Sequence, residues 1–366
     1  MSTIEIVTIE KNVYGGEGLA HLSDGRAVFI PYVLPGEVVR IELVEDKTRF
    51  ARAVPVEIIT ASKERIKPRC KHFESCGGCH YQHMDYDHQL ATKLSVLQDQ
   101  LTRIGKINAP PLKGIIPSQK QWHYRNHVQF HPTTSGALGF INSRGDQALM
   151  IEECHLPEET LNEIWPQINI ETDSGIKRIS LRQDSFNEVM LLLEGDQPDV
   201  PEFELDLPVS ASYLDPEGYA TLLAGEDALI YEIKGHHLHV SPESFFQVNI
   251  DVAEKMVDHF LELLPQDDKK INILELYCGV GLFSIFLVEK AAQLTAIESS
   301  RSSCYDFAIN LDAFDNISLY EAPVEDTLPI ITEKPDLVLL DPPRSGLNID
   351  ARLAITKLAP PEMIYI

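Results

Sequence analysis

Three short segments in the last third of this 366-residue chain carry residue types that can hold a cofactor at the ends of strands. Tyr277-Cys278-Gly279-Val280-Gly281 follows the apolar stretch Ile271 to Leu276 and makes a glycine turn into a helix. Glycine lets backbone approach a ligand closely, because no Cβ intervenes. About twenty residues further on, Glu298 closes LTAIE, where an acid can accept both hydroxyls of an adenosine ribose. Asp341-Pro342-Pro343-Arg344 ends DLVLL, and its two prolines stiffen an extended turn. A lone G-x-G also opens nicotinamide-binding folds, but those carry a third glycine at a spacing absent here. The three segments together point to S-adenosylmethionine and methyl transfer. Methyltransferases that act on exocyclic amines tend to place an aromatic residue after the double proline, to stack on the base. Arg344 stands there, which disfavours an amine and leaves carbon as the target.

A second constellation is a thiol cluster. Cys70, Cys76 and Cys79 fall within ten residues, flanked by Lys67, Arg69 and Lys71. Nothing in the chain indicates an oxidising compartment, so metal binding outranks disulfides. A four-coordinate site needs one more ligand: Cys154 is an available thiolate, and His72, His80 and His83 compete with it. Spacing does not separate zinc from an iron–sulfur cluster, since both accept four thiolates. Gly77-Gly78 frees backbone amides to point at bridging sulfides, which favours the cluster. Cys278 lies in the glycine turn and Cys304 in a helix, and both read as packing residues.

The elements that must position these residues change character along the chain. Residues 1–59 read as short alternating strands with turns at Gly15-Gly16, Asp24-Gly25 and Pro35-Gly36. They fit a small β-barrel of the oligonucleotide-binding kind, with a pure packing module as the alternative. Residues 60–241 form a central part: the cysteine segment, a helix from Tyr86 to Ile104 with Leu90, Leu94, Leu97 and Leu101 on one face, then mostly strand-like sequence. Residues 242–366 alternate helix and strand: helices over Glu243–Leu264 and Leu282–Lys290, and a last strand beginning at MIYI. That alternation implies a parallel sheet covered on both faces. The expected fold class is thus α/β plus β.

The formal net charge of −25 argues, as an average, against a nucleic-acid partner. From Thr60 to Phe130, however, eleven Lys and Arg face five Asp and Glu, a net of +6 that leaves −31 on the remainder. A basic stretch in an acidic protein can present a phosphate-facing surface while the rest repels. No run of 18 apolar residues and no charged-then-apolar leader is present, so a cytoplasmic protein without a membrane partner is expected.

In these segments the chain resembles the TRAM-domain family of RNA uracil-C5 methyltransferases. GGEGLAHLSDGRAVFIPYVLPGEVV is similar to its RNA-binding barrel, CKHFESCGGCHYQH with Cys154 to its 4Fe–4S site, and WHYRNHVQFH with GALGF to its central domain. SPESFFQVN, LELYCGVGLFS and LLDPPRSG are the most specific segments. The resemblance implies an N-terminal OB-like TRAM barrel, a central β-rich domain with the iron–sulfur site, and a doubly wound Rossmann-like methyltransferase domain. It implies S-adenosylmethionine contacts from Gln247, Tyr277, Glu298 and Asp341, and cluster ligation by Cys70, Cys76, Cys79 and Cys154. The implied partner is RNA, of the large ribosomal subunit, met by a monomer. The family's mechanism adds a thiolate to uracil C6, moves the methyl group to C5, removes the C5 proton with a base and expels the thiol. That cysteine, in a pattern like Ser-Cys-Asp-Pro, and a base Glu lie past the position of Met363-Ile364-Tyr365-Ile366. On this reading the methyltransferase domain is incomplete, no catalytic residue is present, and the chain is an inactive, truncated form of an enzyme. The alternative is a non-enzymatic RNA-binding iron–sulfur protein of the same fold.

Overall fold

The computed structural model describes residues 3–202, 204, 206–265 and 269–366. Two compact units emerge, one of Met1–Gln121 with Ala137–His155, the other of Trp122–Gly136 with Leu156–Ile366. The boundaries expected near 59 and 241 fall inside these units: the N-terminal strands share one unit with the cysteine segment, and the central strands share the other with the α/β portion.

The first unit begins with β1 (Ile4–Thr8), β2 (Lys11–Asn12), β3 (Glu17–His21), β4 (Ala27–Pro31), β5 (Val38–Asp46) and β6 (Phe50–Thr60). They form one sheet in the order β1-β5-β6-β4-β3-β2. Alternation in sequence becomes alternation in burial: Val28, Ile30, Val39 and Ile41 point inward with Val7, Ile9, Ala20 and Ala51. Three register shifts between β5 and β6 bend the sheet around that core. The helix α1 (Tyr86–Arg103) ends one residue before the expected Ile104, and Asp85 caps its start by accepting from the His88 amide. After β7 (His127–Pro132), which belongs to the second unit, the hairpin β8 (Leu138–Ile141) and β9 (Ala148–Met150) returns to the first.

In the second unit, α2 (Glu159–Ile164) precedes β10 (Ile176–Gln183), β11 (Val189–Gly195), β12 (Ser210–Leu214) and β13 (Ala220–Ala224). These strands line up as β13-β12-β11-β10-β7. The hairpin β14 (Leu229–Ile233) and β15 (His236–Val240) leads to α3 (Ile250–Leu263). This helix starts seven residues later than the periodicity predicts, because Asn249 caps it and the preceding segment is held as a loop.

Alternation follows: β16 (Ile271–Leu276), α4 (Ser284–Leu287), β17 (Ala291–Glu298), α5 (Arg301–Asn310), β18 (Ile317–Glu321), α6 (Val324–Thr327), β19 (Leu337–Leu340), α7 (Ile349–Leu358) and β20 (Glu362–Tyr365). The helix expected over Leu282–Lys290 is reduced to the short α4 between turns. The five strands are all parallel, in the order β18-β17-β16-β19-β20. One face of the sheet (Ile273, Ala296, Leu339) packs on Val257, Phe260 and Phe307. The other face (Leu274, Leu276, Val338) packs on Val324, Leu328 and Ile355. Burial on both faces is what the apolar runs of these strands anticipate. Among the described residues no helix is long and apolar enough to cross a membrane.

Candidate cofactor site and cysteine cluster

Because β16, β17 and β19 are parallel neighbours, their carboxyl ends point the same way, and strand order reverses beside β16. Ligands of open α/β sheets bind at such a point. Three of the four expected cofactor residues meet here. The amides of Tyr277 and Cys278 both donate to the Ile297 carbonyl, at 2.9 and 3.2 Å, and the Asp341 amide donates to the Leu276 carbonyl at 3.3 Å. The ends of the three strands are thereby fastened to one another.

Glu298 is the most constrained member. Its Oε2 accepts from the Gly279 amide at 3.0 Å, and its Oε1 accepts from the Ser299 and Ser300 amides at 2.7 and 2.8 Å. A carboxylate has about four acceptor positions, so lone pairs remain for a ligand's hydroxyls. The turn that supplies the Gly279 amide is left-handed at Tyr277, with φ +62°. Such a conformation in an aromatic residue marks local strain of the sort that collects at binding sites. Gly281, at φ +91°, serves packing instead. A Cβ there would lie 2.6 Å from Leu311 Cδ1, so its absence lets the turn close on α5.

Asp341 is partly buried, and burial pushes its carboxyl above the usual carboxylate range. Among the described residues its carboxylate makes no hydrogen bond and no ion pair. Beside it stands a residue that the sequence pattern did not single out. Glu275, fully buried on β16, accepts from Ser284 Oγ at 2.6 Å through Oε2, while Oε1 has no partner. Burial, aided by the Asp341 charge, pushes Glu275 up to about 8. The available signal was an acid inside the apolar run INILEL. Held protonated near neutral pH, Glu275 leaves Asp341 as the charge without a neighbouring cation, and such a place favours a positively charged ligand.

Gln247 stands apart from this group. It lies in the loop before α3, its carbonyl accepting from Asn126 Nδ2 at 3.0 Å. Among the described residues no hydrogen bond joins its side chain to Tyr277, Glu298 or Asp341. The two cysteines nearby are poor nucleophiles. Burial pushes the Cys278 thiol well above its ordinary value and the Cys304 thiol up to about 12.

In the first unit, Cys76 sits close enough to Cys79 and Cys70 to feel their charge, and burial, the larger effect, also raises its thiol. Of the two glycine amides, Gly78 donates to Cys76 Sγ at 3.4 Å, whereas Gly77 turns away to the Ile141 carbonyl. Cys154 is brought over by its neighbours. Glu153 accepts from the Lys71 amide at 2.8 Å, Glu152 pairs with the Lys71 ammonium, and the Glu152 amide donates to His72 Nε2. That last bond occupies a nitrogen of one competing ligand. Another, His83, is fully buried and pushed down to about 4, chiefly by burial. None of the six cysteines is in a disulfide. Among the described residues, however, no group of three or more His, Cys, Asp or Glu is arranged to hold a metal ion.

Comparison with known proteins fits this geometry. The tRNA (Uracil-5-)-methyltransferase family matches residues 226–334, and the TRAM domain matches residues 2–56. An uncharacterized RNA methyltransferase of Aquifex aeolicus is 31% identical over 98% of this chain and 88% of its own length. A 23S rRNA (uracil(1939)-C(5))-methyltransferase, RlmD, of Shewanella halifaxensis is 31% identical over 96% of this chain and 83% of its own. The crystal structure of a Pyrococcus abyssi tRNA (uracil-54, C5)-methyltransferase superposes with a TM-score of 0.70 at 22% identity, covering 98% of this chain and 89% of that one, and so shares the fold. Alignments that span nearly all of this chain lend no support to the expectation of an inactive, truncated form. Three strand ends gathered around a fixed acid, and relatives 31% identical over nearly all of this chain, place the chain in the TRAM-domain family of RNA uracil-C5 methyltransferases.

Proposed function

We propose that this protein methylates C5 of a uridine in RNA with S-adenosylmethionine as donor, and that its substrate is 23S ribosomal RNA. The observation that carries the reading is the acidic strand-end site: Glu298 locked by the glycine turn, with Asp341 lacking a cation among the described residues. S-adenosylmethionine supplies an electrophilic methyl group on a cationic sulfur, and adenosine offers the hydroxyls that Glu298 accepts. Tyr277 and Gln247 complete the cofactor contacts, and Asp341 faces the reactive end. The choice of 23S RNA follows the RlmD relative; a transfer RNA is the other substrate class that the family's description names.

The chemistry at carbon runs through a covalent adduct. A thiolate adds to C6, the C5 carbanion so formed takes the methyl group, a base removes the C5 proton, and the thiolate leaves as the double bond re-forms. Cys278 and Cys304 are too buried and too weakly acidic for the first step. Residues 1–59 serve as the RNA-capturing barrel of a monomeric, cytoplasmic enzyme, with the basic stretch after it as a phosphate-facing surface.

A 4Fe–4S cluster on Cys70, Cys76, Cys79 and Cys154 belongs to the same reading. Its support is the closeness of the first three thiols, the Gly78 amide on Cys76 Sγ, and the Lys71 clamp on Glu152-Glu153 next to Cys154. Bound there, the cluster would tie the loop to the returning hairpin. The test of function is methyl transfer by the full-length gene product to 23S and transfer RNA, with nucleoside analysis. We expect 5-methyluridine in the 23S RNA. Methylated adenosine or cytidine, or no transfer to RNA, would contradict the proposal.

A further inference from the structure

The loop between β15 and α3 carries Gln247, and three long-range anchors hold it. At its start, Asp306 of α5, fully buried, accepts from the Ser241 amide at 2.9 Å and from Ser241 Oγ at 2.6 Å. Near its end, Asn126 donates its side-chain amide to the Gln247 carbonyl and its backbone amide to the Val248 carbonyl. The middle is held by Arg182 of β10, which donates through Nη1 to the Ser244 carbonyl at 2.7 Å and to the Ser241 carbonyl at 3.4 Å.

Arg182 is an expensive choice for that place. It is 7% exposed, and among the described residues no carboxylate lies within ion-pair distance of it. Asp306 and Glu243 favour its charge only from beyond that distance, so burying the guanidinium is costly, and an apolar side chain of similar length would fill β10 more cheaply. What an apolar residue could not do is fix the middle of the loop. Ser244 is fully buried, and its carbonyl has no other partner among the described residues. Asp306 and Asn126 would keep the two ends in place without Arg182, leaving the segment between them able to shift.

We propose that Arg182 is a positioning residue for methyl transfer: its guanidinium fixes the Ser241–Gln247 loop and so presents the Gln247 amide to the cofactor. The inference rests on the reading of Gln247 as a cofactor contact, which the same experiment checks separately. Calorimetric titration of S-adenosylhomocysteine into the full-length protein would compare wild type, Gln247→Ala, Arg182→Met and the double variant. Both single variants are expected to weaken binding about tenfold, and the double variant by no more than about twofold beyond Gln247→Ala, because the two residues act through one contact. Arg182→Lys, which keeps a cationic donor, should fall between wild type and Arg182→Met. If Arg182→Met does not fold, Arg182→Lys with and without Gln247→Ala completes the cycle. Losses that multiply in the double variant, or an Arg182 variant that binds like wild type, overturn the proposal and leave Gln247 in the site. A silent Gln247→Ala removes Gln247 from the site, and the proposed route with it.

Discussion

Glu275→Gln tests the electrostatic character of the site with a magnitude that follows from the structure. The carboxyl is pushed from 4.5 up to about 8, first by burial and then by Asp341, against the opposing Ser284 hydrogen bond. Between those values the folded protein keeps a proton that the unfolded chain has released. Stability therefore falls as pH rises, the reverse of the usual carboxylate. At about 1.4 kcal/mol per pH unit, the full penalty at pH 8 is on the order of 5 kcal/mol, and about 3 kcal/mol of it accrues between pH 5.5 and 8. Glutamine carries no charge at any pH and should remove that dependence. The assay is urea unfolding followed through the transition of the second unit, at pH 5.5, 7 and 8, for wild type and variant without cofactor. Other carboxyls with raised values, Asp341 and Glu243, contribute to both proteins, so the difference between the two curves isolates Glu275. The stability gap should shift toward the variant by about 3 kcal/mol across this range. Parallel curves would refute the reasoning and show that Glu275 ionises without penalty.

Three further outcomes are expected. Gly281→Ala places a Cβ 2.6 Å from Leu311 Cδ1 at φ +91° and should destabilise the second unit by about 1–3 kcal/mol; a melting temperature equal to wild type would show that the turn is not packed as described. Protein purified without oxygen should be brown and carry about four iron atoms, and Cys76→Ser should lose both; a colourless, zinc-loaded protein would exclude the cluster. Replacing Lys67, Arg69 and Lys71 by Ala should weaken RNA binding and flatten its salt dependence by about two to three counterions. Because Lys71 is already paired with Glu152, it should contribute least, and an unchanged slope would place the RNA elsewhere.

What was legible in the sequence was whatever depends on local pattern. The 3.6-residue period of α1 and the apolar runs of β16, β17 and β19 located those elements, and Tyr277, Glu298 and Asp341 fell together because strand ends in a parallel sheet must. The start of α3 was not legible, since Glu243 to Asn249 would continue a helical pattern. Arg182 and Asp306, distant in sequence, hold that segment as a loop. Glu275 was hidden for a similar reason. Its significance is an orphaned oxygen and a neighbouring Asp341, and both are properties of packing. The division into units was equally unreadable, because Ala137–His155 rejoins the unit of the N-terminal strands after a strand that belongs to the other.

Occupancy of the ends of β16, β17 and β19 by the cofactor is the central claim. Isothermal titration of S-adenosylmethionine into wild type, Glu298→Ala and Asp341→Ala is its most direct test. One site per chain in the wild type, weakened by an order of magnitude or more in each variant, is the expected result, since each removes a group for which the structure shows no substitute. Absence of binding, or equal affinity in all three proteins, would contradict it.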